Sequence, residues 1–555
     1  MTILTMNRAE LEKKVGKITK EIENKISMMG TPIESVTSDE VAVEIFPNRP
    51  DLLSLQGFSR ALLQNLGKKG VAKFKIEKPE KDYVVEIDKS VKEVRPYTVC
   101  AIVKNLKFDD EKIKEIIDIQ EKLHLTLGRD RKKIAIGIYP LEKIKLPIRY
   151  LAKKPDEIKF MPLEMNKELT GAQILRQHPT GRDYAHLLKD AEVFPIFIDA
   201  DDKILSMPPI INSHETGKIS EKTKDVFIEC SGFNLPYQKK VINILTTALD
   251  EMGGKIYSME IQDPKEGKFL SPNLEPEKLE FKIKDINKTL GLELNEKEIK
   301  SYLEKMGIGF EKTKEKIYAL IPAYRADVLH WVDLAEDIAI AYGYDKFEPE
   351  IPEISTIAEE SKTSLIKKTI AEILAGLGLL EVSSFHLCKK KDIKKIYFNI
   401  KNEELLEVED SKTEYNTLRI DLLSNLLKVF SENSDATYPQ KIFELGRVFS
   451  KDENKETRIK ETEKLGIALT GEKANFTEIK QILDYLFRML DKNYKIESCE
   501  NNNFISGRVA KIKVNGKDVG FIGEVAPRII RNWKSKMPVS ALEIDLDWVR
   551  GIERG

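Results

Sequence analysis

The sequence has few cysteines, no long apolar run and almost no net charge. Its four cysteines, at positions 100, 230, 388 and 499, lie far apart and form no C-x-x-C pair, which argues against a zinc site and against a disulfide scaffold. No apolar run approaches the roughly 18 residues that a membrane-spanning helix needs. The first residues also lack the apolar core of a signal peptide, so we expect a cytoplasmic protein with no membrane partner.

The balance of charges excludes a strongly basic protein. Lys and Arg total 91 against 92 Asp and Glu, so a nucleic-acid partner would have to be bound by local patches. With 555 residues, 41% of them hydrophobic and 33% charged, the composition is that of a globular chain too long for a single core. We expect about three to five domains.

The most informative stretch is AYRADVLHWVDLAEDIAIAYGY, from Ala323 to Tyr344. Asp333, Glu336 and Asp337 fall at i, i+3 and i+4, on one face of a predicted helix, and Asp327 lies just upstream. Carboxylates packed this closely repel one another and favour a bound cation, and oxygen ligands without cysteine suit magnesium. Acids in a first helical turn are also favoured by the helix dipole alone, and the spacing does not decide between these explanations.

A second group of polar side chains lies in two loops and a strand. The loop DDKILSMPPIINSHETGKIS and the strand VFIECSG contain five candidate site residues: Ser206, Asn212, Ser213, Glu229 and Ser231. Glu229 and Ser231 point to the same face of their strand. Turn chemistry alone also explains a loop of this composition. In the other loop, QHPTGRDYAHLL, we expect His178 and His186 to be structural hydrogen-bonding groups.

Several of these motifs resemble one family. R-x-D followed by an acid-rich helix and A-Y-G-Y resembles the signature of phenylalanyl-tRNA synthetase beta subunits, and NRPDLLSLQGFSRAL, from Asn48 to Leu62, is similar to their N-terminal domain. S-M-P-P-I-I-N-S, T-G-K-I-S and F-I-E-x-S-G resemble the editing domain of the archaeal and eukaryotic beta subunits. Ser231 stands where much of the family has Thr, a change that keeps the hydroxyl.

The resemblance implies a function shared with a partner. The chain is expected to pair with a catalytic alpha subunit that binds ATP and phenylalanine, in an α2β2 assembly that charges the phenylalanine tRNA. It implies magnesium bound at the contact with that subunit by Asp327, Asp333, Glu336 and Asp337. It further implies hydrolysis of tyrosine wrongly attached to this tRNA. Glu229 would accept the phenol or orient water, while Ser206, Asn212, Ser213 and Ser231 would position the ester and the water.

The expected fold is an α+β multidomain chain. Its four parts are a small α/β N-terminal domain (1–77), a mixed α/β editing domain (83–270), a winged-helix-like module carrying the acidic helix (273–350), and an antiparallel-sheet domain like the catalytic domain of class II synthetases (361–555). Arg419 and Glu444 stand where a catalytic copy would have a motif-two role. Because neither F-R-x-E nor G-x-G-x-x-R is present, we expect this last domain to be non-catalytic.

Two alternatives belong to other classes of protein. One is a non-catalytic RNA-binding or interaction scaffold built from the same modules, which a small exposed apolar face on the C-terminal domain would favour. The other is a self-sufficient synthetase, which the missing ATP-binding arginines argue against.

Overall fold

The structure is a computed structural model that describes residues 2–351, 356–409 and 411–547. The chain forms two compact units, residues 1–350 and 351–555, each described by itself below. Over the described residues, no helix has both the length and the apolar character needed to cross a bilayer.

The N-terminal domain consists of a small sheet with three helices. Its elements are β1 (Thr2–Asn7), α1 (Arg8–Val15), α2 (Lys20–Met28), β2 (Ile33–Val36), β3 (Glu40–Ile45) and α3 (Leu55–Asn65). Strand β3 lies between β1 and β2 and is antiparallel to both. The apolar spacing of Leu11, Val15, Ile18, Ile22 and Ile26 predicts a single first helix, and this prediction is wrong. Gly16, with φ 93°, ends α1, and the Thr19 side chain accepts a hydrogen bond at the start of α2.

The turn before α3 explains the N-R-P-D-L pattern. Ser54 is the residue that caps α3, since its hydroxyl accepts a hydrogen bond from the Gly57 amide at 3.0 Å. Asp51 instead pairs with Arg49 through two hydrogen bonds of 2.9 Å. A Cβ at Gly57 would lie 1.9 Å from the Asp51 carbonyl oxygen, so the tight turn requires glycine there. The pattern is therefore a folding motif.

The second domain contains most of the strands of the first unit. Its elements are β4 (Ile76–Glu77), β5 (Val84–Ile87), β6 (Tyr97–Lys104), α4 (Asp110–Leu125), β7 (Ile134–Pro140), β8 (Ile148–Lys153), β9 (Lys159–Phe160), β10 (Leu169–Thr170), α5 (Gly171–Gln177), α6 (Pro179–Tyr184), β11 (Phe194–Ile198), β12 (Ile204–Met207), β13 (Ile211–Asn212), β14 (Val226–Gly232), α7 (Leu235–Glu251), β15 (Lys255–Tyr257), β16 (Met259–Asp263) and β17 (Gly267–Ser271).

Twelve of these fourteen strands form two large sheets, and β9 pairs separately with β10. One has the order β4-β15-β6-β14-β7, and the other β13-β12-β11-β8-β5-β16-β17. Helix α7 packs on the first sheet and against α3, so apolar side chains of the N-terminal domain and of this domain form one continuous core. The sequence predicts helices at 109–127 and 237–253, and both are confirmed as α4 and α7.

The third module has the predicted order of a strand, two short helices and a hairpin. Its elements are β18 (Glu277–Phe281), α8 (Ile283–Leu290), α9 (Glu296–Lys305), β19 (Gly309–Lys312), β20 (Ile317–Ile321) and α10 (Trp331–Tyr342). The apolar face of α10, with Leu334 and Ile338, is fully buried against α8 and α9.

The second unit is built on a seven-stranded sheet with the order β21-β24-β25-β29-β28-β27-β26. Its elements are α11 (Lys362–Gly376), β21 (Leu380–Glu381), β22 (Leu387–Lys389), α12 (Lys390–Lys394), β23 (Tyr415–Leu418), α13 (Leu423–Glu432), β24 (Gln440–Lys451), β25 (Ile459–Thr470), α14 (Phe476–Met489), β26 (Lys495–Ser498), β27 (Phe504–Val514), β28 (Lys517–Val525), α15 (Pro527–Asn532) and β29 (Val539–Asp545).

Most neighbours in this sheet are antiparallel, as predicted. The hairpin turn at Asn515–Gly516 is confirmed, with φ 50° and 78° at its two residues. The run SSFHL, residues 383–387, predicts a strand, and this prediction is wrong. The chain is irregular there, and the strand begins only at Leu387, where it pairs with β23.

Candidate active site

Glu229 lies in the middle of the first large sheet of the second domain. It is on β14, opposite Cys100 of β6 and Gly137 of β7, and only 2% of it is exposed. Gly137 makes room for the site, because a Cβ at that position would lie 2.2 Å from the Tyr139 hydroxyl and 2.6 Å from Glu229 Oε1. The glycine is thus a spacer between two polar side chains.

The polar contacts of Glu229 occupy only one of its oxygens. The Tyr139 hydroxyl is 3.3 Å from both Glu229 Oε1 and Asn212 Oδ1. Glu229 Oε2 is buried and has no hydrogen-bond partner among the described residues. Burial raises the pKa of Glu229 from 4.5 to about 8, against the opposing effects of Arg95, Tyr139 and Ser231. The side chain is therefore mostly protonated at neutral pH and has a free oxygen.

A cavity of about 520 Å³ opens beside Glu229, within the size range of small-molecule sites. Three of the five predicted residues line it: Ser206, Asn212 and Glu229. The Ser206 hydroxyl is buried and has no hydrogen-bond partner among the described residues. Ser206 and Asn212 face each other across β12 and β13, so one hairpin supplies both side chains.

The structure does not bring the other two predicted residues into this lining. Ser213 is buried, and its amide donates to the Leu205 carbonyl at 2.7 Å. The Ser231 hydroxyl accepts a hydrogen bond from Arg95 Nε at 3.2 Å. The Arg95 guanidinium also donates to the Ser231 carbonyl at 3.0 Å. Ser231 thus anchors a buried arginine near Glu229 rather than lining the cavity.

Sequence reasoning missed several residues of the cavity. These are Tyr139, which contacts Glu229, and the lining residues Glu121, His124, Arg131 and His214. A glycine inside the buried run IAIGIYP was the available signal, since glycine in a strand often marks the close approach of another group. Nothing in the sequence singled out the residues of α4 and the loop after it, because they reach the cavity only through the fold.

Each of the two histidines of the first polar loop contacts a backbone carbonyl. A ring nitrogen of His178, Nε2, is 3.0 Å from the Leu163 carbonyl oxygen, and His186 Nδ1 is 3.1 Å from the Asp183 carbonyl oxygen. Neither side chain lines the cavity.

The four acids near α10 do not form one cluster. Arg325 donates to Asp327 at 2.7 and 2.8 Å and to Asp337 at 2.8 Å. Asp333 accepts hydrogen bonds from two backbone amides at the start of α10, and Glu336 is exposed. Among the described residues, no group of three or more His, Cys, Asp or Glu side chains is arranged to hold a metal ion. In this conformation Arg325 binds two of the four carboxylates, Asp327 and Asp337, and the magnesium site that the resemblance implies stays a prediction.

Arg419 and Glu444 of the second unit contact each other, Nη1 to Oε1, at 2.5 Å, and both are buried. Arg419 Nε also donates to the Arg447 carbonyl at 2.7 Å, and Glu444 accepts from the Ser384 hydroxyl at 2.7 Å. Both side chains are thus held by hydrogen bonds to other residues of the same unit.

Comparison with protein families identifies the modules. Three family models match: the B3/4 domain at 81–251, the tRNA synthetase B5 domain at 279–344, and the phenylalanyl tRNA synthetase beta chain CLM domain at 348–546. This set of modules, with the cavity in the first of them, defines the class of protein as an aminoacyl-tRNA ligase subunit.

Similarity to individual proteins extends over the chain. The phenylalanine–tRNA ligase beta subunit of Pyrococcus abyssi is 41% identical over 90% of this chain and 89% of its own length. That of Archaeoglobus fulgidus is 38% identical over 98% of both chains. A crystal structure of an N-terminal fragment of the Pyrococcus horikoshii beta subunit matches with a TM-score of 0.58 and 37% identity, covering 61% of this chain and 99% of the fragment. The chain belongs to the phenylalanine–tRNA ligase beta-subunit family.

Proposed function

We propose that this chain hydrolyses tyrosyl-tRNA in the cavity beside Glu229, and that it pairs with an alpha subunit to charge the phenylalanine tRNA. The alpha subunit would bind ATP and phenylalanine, the assembly would be α2β2, and the enzyme would act in the cytoplasm. The observation that carries the hydrolytic part is the buried, unpartnered Oε2 of Glu229 at the cavity.

The cavity has both apolar and polar walls. Ile116, Ile138 and Ile211 line it together with Ser206, Asn212 and Glu229. We infer that the tyrosyl phenol bonds to Glu229 Oε2. A phenylalanyl ring would leave that buried oxygen without a partner, which makes a hydrogen-bonding site strongly selective for the hydroxyl. Ser206 and Asn212 are then placed to position the ester and the attacking water.

We predict that Ser206→Ala and Glu229→Ala each slow deacylation of tyrosyl-tRNA by roughly 10–100-fold, a typical cost of losing a positioned polar group. Charging with phenylalanine should be unchanged, because it belongs to the alpha subunit. The measurement is deacylation of preformed tyrosyl-tRNA by the full complex. Glu215→Ala, which removes an exposed carboxylate paired with Lys203, is the matched control and should behave as wild type. Unchanged deacylation in both site variants would contradict the assignment.

The partner proposal rests on the family and on exposed apolar side chains. In the second unit, Leu380 is 68% and Phe385 83% exposed, an exposure that an interface would relieve. We predict that the tagged chain, purified from its own cells, carries an equal amount of a second protein, with a native mass of two copies of each. A monodisperse monomer would favour the interaction-scaffold alternative instead.

Magnesium at Asp327, Asp333, Glu336 and Asp337 stays a prediction. As folded, the four carboxylates do not fit a single ligand set, because Arg325 neutralises two of them and backbone amides bind the third. The proposed hydrolysis does not use this region.

A further inference from the structure

The loop between α4 and β7 has an unusual backbone. Arg129, Asp130 and Arg131 are consecutive and have φ of 46°, 56° and 63°. Non-glycine residues rarely adopt this left-handed region, and a run of three persists only where the surrounding structure fixes it. Such positions concentrate at functional sites, and this loop borders the cavity of the proposed hydrolysis.

The Arg131 side chain ties three separate segments together. Its Nη1 donates to the Ile210 carbonyl at 3.1 Å, and its Nη2 donates to Glu121 Oε1 at 2.9 Å. Its guanidinium carbon lies 4.4 Å from the centroid of the Tyr184 ring. The Tyr184 hydroxyl in turn donates to Asp130 Oδ1 at 3.2 Å, which supports the strained loop.

Two of these contacts, those to Ile210 and Glu121, reach walls of the cavity. Ile210 lies between Ser206 and Asn212 in the chain, so its carbonyl fixes the segment that carries both. Glu121 is 3.3 Å from His124 Nδ1, and His124 Nε2 accepts the Ile136 amide at 2.8 Å. That amide bond requires the histidine proton to be on Nδ1. Arg131 is therefore linked, through Glu121 and His124, to β7, the strand of Gly137 and Tyr139.

We propose that Arg131 is a positioning residue of the hydrolytic cavity, which holds the wall carrying Ser206 and Asn212 in register with the strand carrying Tyr139. This inference rests on the proposed function. A rival role for an arginine beside a tRNA site is contact with a phosphate. Only 14% of the Arg131 side chain is exposed, and its Nη1 and Nη2 donate to internal acceptors, which favours positioning. Its buried Nε has no hydrogen-bond partner among the described residues.

The test compares Arg131→Ala and Arg131→Lys with Lys133→Ala in the full chain assembled with its alpha subunit. Lys133 is exposed in the same loop and controls for loss of a positive charge. The readout is single-turnover deacylation of tyrosyl-tRNA as a function of enzyme concentration and of salt. We expect Arg131→Ala to lower the maximal rate constant by roughly 10–100-fold, because small misplacement of reacting groups is costly. Arg131→Lys should show a smaller loss. Lysine keeps the positive charge, although it cannot reproduce the two-armed contact.

The concentration of enzyme giving half the maximal rate, and its salt dependence, should stay as in wild type, and Lys133→Ala should deacylate normally. A normal rate constant in Arg131→Ala would overturn the inference. An unchanged maximal rate constant with a higher half-saturating concentration and a weaker salt dependence would also overturn it, because this is the behaviour expected of a phosphate contact. If Arg131→Ala fails to assemble, the rate constant of Arg131→Lys decides in the same way. A wild-type complex that does not deacylate would instead refute the proposed function itself.

Discussion

Arg325→Met should lower the thermal midpoint of the chain by roughly 6–20 °C, from a loss of about 3–5 kcal/mol in the free energy of unfolding. Arg325 is 2% exposed and bonds to Asp327 and Asp337, of which Asp337 is 5% exposed. Burial already raises the pKa of Asp337, with Arg325 as the main opposing charge. Methionine would leave a buried carboxylate without its cation, the most costly way to break such a pair.

The double variant Arg325→Met, Asp337→Leu separates charge from packing. It removes the uncompensated carboxylate together with the arginine, so it should be clearly more stable than Arg325→Met alone. Arg182→Met, which changes an exposed arginine, is the control for the substitution itself. Thermal melting of the four proteins measures the effect. A single variant as stable as wild type, or a double variant less stable than the single one, would contradict the importance of the buried pair.

The same region illustrates what sequence reasoning could and could not predict. The helix α10, its buried face and the acidic positions follow from helical spacing, which is local. The partner of the acids does not follow, since Arg325 was known only as part of a motif and its reach to Asp337 depends on how the loop before α10 turns. Helical spacing predicts that the acids share one face of α10, but contacts with the loop before the helix determine what they bind.

The residues of the cavity likewise divide into those that sequence motifs predicted and those that only the fold brings there. Ser206, Asn212 and Glu229 were predicted from motifs, and all three line it. Ser213 and Ser231 belong to the same motifs but are held by Leu205 and Arg95 instead. Alternation along a strand placed Ser231 on the face of Glu229, yet it could not reveal that a buried arginine occupies its hydroxyl. Residues from α4 were missed because only the packing of α4 beside β7 brings them near.

Glu229→Gln should stabilise the chain by an amount that grows with pH. The pKa of Glu229 is about 8 in the folded protein against an ordinary value of 4.5. Below pH 4.5 both states bind the proton and the charge costs nothing. Between the two values the unfolded chain releases a proton that the folded chain keeps, so wild-type stability falls as pH rises. At pH 7 the cost is roughly 3 kcal/mol, it approaches about 5 kcal/mol above pH 8, and glutamine avoids it.

Melting of wild type and Glu229→Gln at pH 5 and pH 8.5 tests this directly and needs neither tRNA nor the partner. The two midpoints should nearly coincide at pH 5, and at pH 8.5 the variant should melt several degrees higher. A surface change such as Glu215→Gln should give no pH-dependent difference, because that carboxylate is exposed. A constant difference between wild type and Glu229→Gln across this range would mean that Glu229 ionises normally. The free oxygen at the cavity would then belong to a carboxylate at neutral pH, and the phenol of a bound tyrosyl group would donate a hydrogen bond to it.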